Sequence, residues 1–171
     1  MATIPTGEVI CGPGNKQLRL MRTFDQPIQT VWNGLTESSL TEKWIGHWSG
    51  EAGAGNRVMF TMSAEEGASP EPVEIVACDP PKYLELLMEV AEGETWHVSI
   101  ELRESAGSTI MVFLQELTSS ADPADIGPGW EFYADRLLAS LDGTPMPAWE
   151  DYYPAQKAYY IAANESRDCF S

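Results

Sequence analysis

Apolar and polar residues alternate along much of this chain, and a rhythm of three and four takes over where the alternation stops. "QLRLMRTF" (17–24) predicts a first strand. Asp25 is a candidate cap for the segment after it, and Pro27 suits a first helical turn, because its missing N–H has no partner there anyway. From Pro27 the apolar residues Ile28, Val31, Trp32 and Leu35 fall at helical spacing, with Trp32 expected as a structural plug at one end of the fold. "TESSLTEKWI" predicts a second short helix, capped by Thr36 or Ser38, with Leu40 and Trp44 on its apolar side. Beyond the glycine-rich "SGEAGAGN" come "RVMFTMS", "PVEIVAC", "YLELLMEV", "TWHVSIELRE" and "STIMVFLQEL", separated by turn signals such as "DPPK" and "AEGE". Short strands with tight turns predict an antiparallel meander. "SSADPADIGPG" reads as a loop leading into the clearest helix, "WEFYADRLLASLDG". There Trp130, Tyr133, Ala134, Leu137, Leu138 and Leu141 form one apolar stripe, Glu131, Asp135, Arg136 and Asp142 lie off it, and Gly143 is the expected stop.

The element order is strand, two short helices, five or six strands, long helix. An antiparallel sheet must cover its apolar face, and the last helix is the long element available for it. The expected fold class is α+β, a curved antiparallel sheet wrapped around a long C-terminal helix. Residues 1–15 read as a loose arm with a short strand at Glu8 to Cys11, residues 16–143 as the body, and residues 144–171 as an aromatic extension. Tyr152/Tyr153 and Tyr159/Tyr160 repeat seven residues apart in that extension. Left exposed they form a sticky patch, so the extension is expected to pack on its own domain or on the same surface of a second copy, as a homodimer.

Period-two reading assigns the strand faces. Val58, Phe60 and Met62 share one face, as do Leu84, Leu86, Met88 and Val90, and Trp96, Val98, Ile100 and Leu102. With Trp44, Trp48 and Trp130 they converge on the space between sheet and helix. The expected ligand-lining set is Trp44, Trp48, Phe60, Met62, Leu86 and Met88, together with Trp96, Val98, Trp130, Tyr133 and Leu137.

Composition narrows the partners. The 171 residues carry 26 acidic and 10 basic side chains, a formal charge of −16. The basic residues are scattered, so a phosphate backbone or an anionic lipid surface is repelled and neither nucleic acid nor membrane is an expected partner. The cysteines at 11, 78 and 169 are odd in number, widely spaced and form no CxxC, which argues against a disulfide framework or a thiolate zinc site. The N-terminus lacks the basic start and apolar block of a signal peptide, and the expected setting is cytoplasmic.

Candidate chemistry is sparse. His47 and His97 are the histidines. His97 shares the outward face with Glu101, whereas His47, between Gly46 and Trp48, sits nearer a possible cavity mouth. Glu74 and Arg22 would turn inward if a bulge shifted a strand, giving a cyclase-like acid and clamp. No metal-ligand spacing, nucleophile elbow, P-loop or dinucleotide fingerprint occurs, and no catalytic residue, metal or cofactor is assigned.

Leu20, Arg22, Thr23, Phe24, Asp25, Pro27, Val31, Trp32, Leu35, Thr36, Leu40 and Trp44 together resemble the opening motif of the START-related helix-grip superfamily (SRPBCC), in the branch similar to the C-terminal domain of the activator of heat-shock-protein-90 ATPase. "CDPPKYLEL" and "GPGWEFYADRLLASLDG" extend the resemblance over about residues 16–143. It implies a helix-grip fold with an apolar cavity that holds a small hydrophobic molecule in many relatives, and it implies no single activity. Leu114 stands in the last strand where many members of this branch place a histidine, so that polar hook is absent. The expected function is non-enzymatic binding of a small hydrophobic or aromatic ligand. The alternatives are a protein-interaction or co-chaperone-like activator of a heat-shock ATPase, and a polyketide-cyclase-like or hydrolase enzyme.

Overall fold

The computed structural model describes residues 3–118, 120–166 and 169. The outermost residues of the expected arm (1 and 2) and extension (170 and 171), with Ser119, Arg167 and Asp168, lie outside the described residues.

A hairpin of β1 (Glu8–Gly12) and β2 (Asn15–Phe24) opens the chain, followed by α1 (Ile28–Thr36) and α2 (Ser38–Thr41). Six strands follow: β3 (His47–Ser49), β4 (Arg57–Thr61), β5 (Glu71–Asp79), β6 (Tyr83–Ala91), β7 (Glu94–Ser105) and β8 (Ser108–Leu117). Helix α3 (Pro123–Asp142), one 3-10 turn (Trp149–Asp151) and α4 (Lys157–Glu165) complete the fold. The strands form one antiparallel sheet in the order β1-β2-β8-β7-β6-β5-β4-β3. Its curved face wraps α3, which is the helix-grip arrangement.

The inward positions of β2, Leu18, Leu20 and Phe24, are buried, as are the alternate residues of β8 from Thr109 to Leu117. Transfer of each large apolar side chain from water is worth about 1.5–3 kcal/mol, so this alternation fixes the register of the central strands. Trp32 is buried in the same core.

Four local expectations change. Helix α3 begins seven residues before Trp130, at Pro123. Asp122 caps it by accepting from the Ala124 N–H at 2.9 Å, and Pro123 takes the first turn, a start signal that outweighs the breakers Gly127, Pro128 and Gly129. Gly127 has a packing reason, since a Cβ there would lie 2.6 Å from the Tyr160 ring. At the other end Gly143 adopts a φ of 70° and stops the helix as expected.

The second helix is a single turn, and neither Thr36 nor Ser38 caps it. Ser38 instead bonds the backbone of Trp48 in both directions, its Oγ donating to the carbonyl at 2.8 Å and accepting from the N–H at 2.9 Å. His47, outside the strands expected from the sequence, opens strand β3. Helix α1 gains no cap from Asp25; its first N–H, on Ile28, donates to Glu104 at 2.8 Å.

The cysteine spacing misled. Cys11 of β1 is disulfide-bonded to Cys169, 158 residues away, because the C-terminal segment returns along the hairpin; Cys78 is free. That return also buries Tyr152, Gln156 and Tyr160 against the protein's own body. Among the described residues no helix is long and apolar enough to cross a membrane.

Candidate functional site

Between the sheet and the helices lies a cavity of about 160 Å³. Its floor is the inward face of β4 to β8, including Val58, Phe60, Ile75, Leu86, Val98 and Phe113. Its roof is built from Leu35 and Thr36 of α1, Thr41, Trp44 and Ile45, and Trp130 of α3. Exposed Ala52 and half-exposed Gly53 stand at the rim.

The two indoles of the α1–β3 region are held by a device that follows from helix physics. A helix leaves its last carbonyls without intrahelical partners. Trp44 donates its indole N–H to the Gly34 carbonyl at 2.8 Å, and Trp48 donates to the Thr36 carbonyl at 2.9 Å. Both rings meet the cavity while their polar atoms serve the end of α1. Arg136 Nε donates to the Trp44 carbonyl at 2.7 Å and ties this corner to α3. The hydroxyls of Thr36 and Thr41 are spent on the carbonyls of Trp32 and Ser38.

A β-bulge does occur in β5, between Ile75 and Ala77. It comes after Glu74, which stays beside Arg57 and Leu87 in the register and off the wall, and it turns Cys78 into the cavity instead. Burial, reinforced by the charge of Asp79, pushes the Cys78 thiol up from its ordinary value, so this side chain enters the wall neutral. Arg22 does point inward, but away from the cavity. Its Nη2 meets Glu131 at 2.6 Å and its Nε meets Asp135 at 2.7 Å. The proposed Glu74–Arg22 acid and clamp is not assembled.

Of the residues expected to line the site, Trp44, Trp48, Phe60, Leu86, Met88, Val98 and Trp130 form part of the cavity wall. Met62 packs against the core beyond the end of β4. Trp96 faces inward near one end of β7, where its indole donates to Glu94 at 3.3 Å and its ring meets Trp130. Tyr133 is turned to Glu65, to which its hydroxyl donates at 3.0 Å, and Leu137 is buried in the core outside the wall. Alternation could have supplied Val58, Val73, Ile75, Leu84, Ile100 and Phe113 as well, because each shares the inward face of its strand. Ala52, Gly53 and Cys78 carried no such signal.

Neither histidine belongs to the wall. His47 is exposed, 3.7 Å from Glu42. His97 is on the outer face of the sheet between Glu85 and Glu116. Leu114 pairs with Ser99 and Arg19 on that outer face, so a histidine at this position would not reach the cavity; its neighbour Gln115 faces inward. Among the described residues no cluster of His, Cys, Asp and Glu could hold a metal ion.

A family model described as "Activator of Hsp90 ATPase homolog 1-like protein" matches residues 25–142. The chain belongs to the AHSA1 family. This is the SRPBCC branch that the opening motif resembles, a family that generally binds ligands in a cavity. Among solved structures, CalU16 from Micromonospora echinospora is similar at 22% identity and a TM-score of 0.74, covering 95% of this chain and 98% of that one. EF2215 from Enterococcus faecalis is similar at 19% identity and a TM-score of 0.71, covering 95% and 92%. DynU16, from the dynemicin biosynthetic locus, is similar at 20% identity and a TM-score of 0.66, covering 81% of this chain and 50% of that one. These likenesses establish the helix-grip fold. The curated proteins yield no match.

Proposed function

We propose that this AHSA1-family protein binds a small, uncharged, predominantly apolar molecule, about the size of one aromatic ring with a short substituent, in the cavity under α3. The observation that carries it is the wall: about 160 Å³ bounded by aliphatic and aromatic side chains, with the Trp44 and Trp48 N–H groups turned away into α1. A dry apolar cavity of roughly 150 Å³ is enough to take up benzene. A charged ligand would pay desolvation with no counter-charge in the wall, which selects for neutral molecules. A cyclase- or hydrolase-like role finds no histidine or carboxylate in that wall to move a proton.

Burying roughly 200 Å² of ligand at about 25 cal/mol/Å² is worth about 5 kcal/mol, a Kd of the order of 0.1–1 mM for toluene. Titration followed by methyl NMR is expected to show saturable shifts at Val98, Ile75 and Leu86. Leu86→Trp, which fills the space from β6, is expected to abolish them while the protein still folds. Absence of saturable shifts in the wild type, or toluene binding undiminished by Leu86→Trp, would remove the proposal. The cytoplasmic setting inferred from composition stands against the Cys11–Cys169 disulfide, a bond that persists in oxidising compartments, and ligand binding does not depend on it.

A further inference from the structure

We propose that the cavity selects a ligand bearing a neutral hydrogen-bond acceptor, a ketone, ester or aryl ether, and that the side-chain amide of Gln115 is the group that selects it. This rests on the cavity-binding proposal and names the ligand class for the same site.

Gln115 is fully buried on the inward face of β8. It lies just behind the cavity wall, between three wall residues and Leu18 of β2, which belongs to the neighbouring core. Val98 is its partner across the strand pair, Phe113 precedes it by two residues on the same face, and Trp130 covers it from α3. The Trp130 indole N–H donates to Gln115 Oε1 at 2.6 Å. An indole N–H can only donate, so this bond fixes which end of the amide is oxygen and leaves Nε2 as the other end. Nε2 has no acceptor among the described residues. Native interiors seldom keep a fully buried donor unpaired, because its lost hydration is then never recovered.

No side chain of the wall offers a strong free donor to an acceptor on the ligand. The Trp44 and Trp48 N–H groups and the Thr36 and Thr41 hydroxyls are already committed, and the neutral Cys78 thiol is a weak donor. The Gln115 amide is the strong donor left over at the Phe113–Trp130 end. Trp130, half-buried and packed on Phe113 with centroids 4.5 Å apart, stands between the amide and the cavity, and recognition requires its ring to shift so that Nε2 meets a ligand oxygen. An anion is not selected, because the nearby guanidinium groups are engaged elsewhere: Arg22 by Glu131 and Asp135, Arg136 by the Trp44 carbonyl.

Acetophenone and α-methylstyrene have nearly the same shape and differ in C=O against C=CH₂. Each is titrated into the wild type and into Gln115→Met, which keeps volume but removes the donor. Acetophenone affinity is expected to fall about tenfold in the variant, the worth of one buried hydrogen bond, while α-methylstyrene affinity stays within about twofold. The infrared carbonyl stretch of bound acetophenone is expected to be red-shifted in the wild type relative to alkane solvent, and unshifted in the variant. The shift in the wild type stands as a reading even if the variant does not fold. An unshifted carbonyl in the wild type, or equal losses for both ligands in the variant, overturns the role of Gln115 and leaves the cavity proposal intact. Binding of neither ligand to the wild type overturns both.

Discussion

The two sides of α3 solve burial in opposite ways. Towards the sheet, Trp130 and its neighbours keep the interior uncharged, with the Gln115 amide as a buried polar group, and leave a cavity. Towards the termini, Glu131 is 1% exposed and fully engaged: it accepts from the N–H groups of Thr6 and Gly7 at 2.7 Å, from Arg22, and in a very short bond from the Tyr160 hydroxyl. Asp135, one turn on, takes Arg22 and the Tyr152 hydroxyl at 2.7 Å. A buried charge is tolerable only when it is paired and hydrogen-bonded, so this hub demands both terminal segments in place. The cavity side has no buried charge to satisfy and is held mainly by apolar packing. One face of a single helix thus closes the molecule, while the other is free to keep a space.

The comparison breaks most sharply at Glu131. Glu131→Ala leaves Arg22 Nη2, two backbone N–H groups and Tyr160 without their acceptor, although Arg22 Nε keeps Asp135, and is expected to destabilise the protein by about 3–5 kcal/mol in urea unfolding. A loss below about 1 kcal/mol would mean that the hub contributes little and that packing alone docks the extension.

Acid tests the same point. Burial alone would raise the Glu131 carboxyl, but the bonds from Tyr160 and Arg22 and the backbone outweigh it and hold it below its ordinary value. The unfolded chain then binds this proton more readily than the native one, so stability is present above the ordinary carboxylate pKa and drains away as pH falls below it. Glu131→Gln is expected to flatten that acid limb in melting-temperature profiles; an unchanged slope assigns the acid sensitivity to other carboxylates.

The smallest effect is expected on the cavity side. Leu86→Ala, at a half-buried wall position, enlarges a space that already exists and is expected to cost about 1 kcal/mol, well under the loss at Glu131. If the two substitutions cost the same in calorimetry, the contrast between the faces of α3 disappears.

The inward strand residues were legible because alternation has a period of two and the core is on one side. That is why Phe60, Leu86, Met88 and Val98 could be placed on the wall side before the structure was known. The same logic overreached at Trp96 and Tyr133, since facing inward places a residue over the sheet but says nothing of where along it the cavity ends. Gln115 was passed over because a lone polar residue in an apolar strand carries no periodic signal. Glu131 was set off the apolar stripe and is nonetheless buried, because the cover comes from segments more than 100 residues away on one side and 29 on the other.

By itself the sequence determined the order of elements, the inward face of each central strand and the family, because these depend on local propensity and period. The tertiary structure alone decided that Cys11 meets Cys169, that Arg22 is spent on α3 and not on the cavity, and that one amide donor is left over beside Trp130. Those outcomes depend on distances between remote residues, and a one-dimensional pattern does not encode which of two buried faces a long side chain reaches.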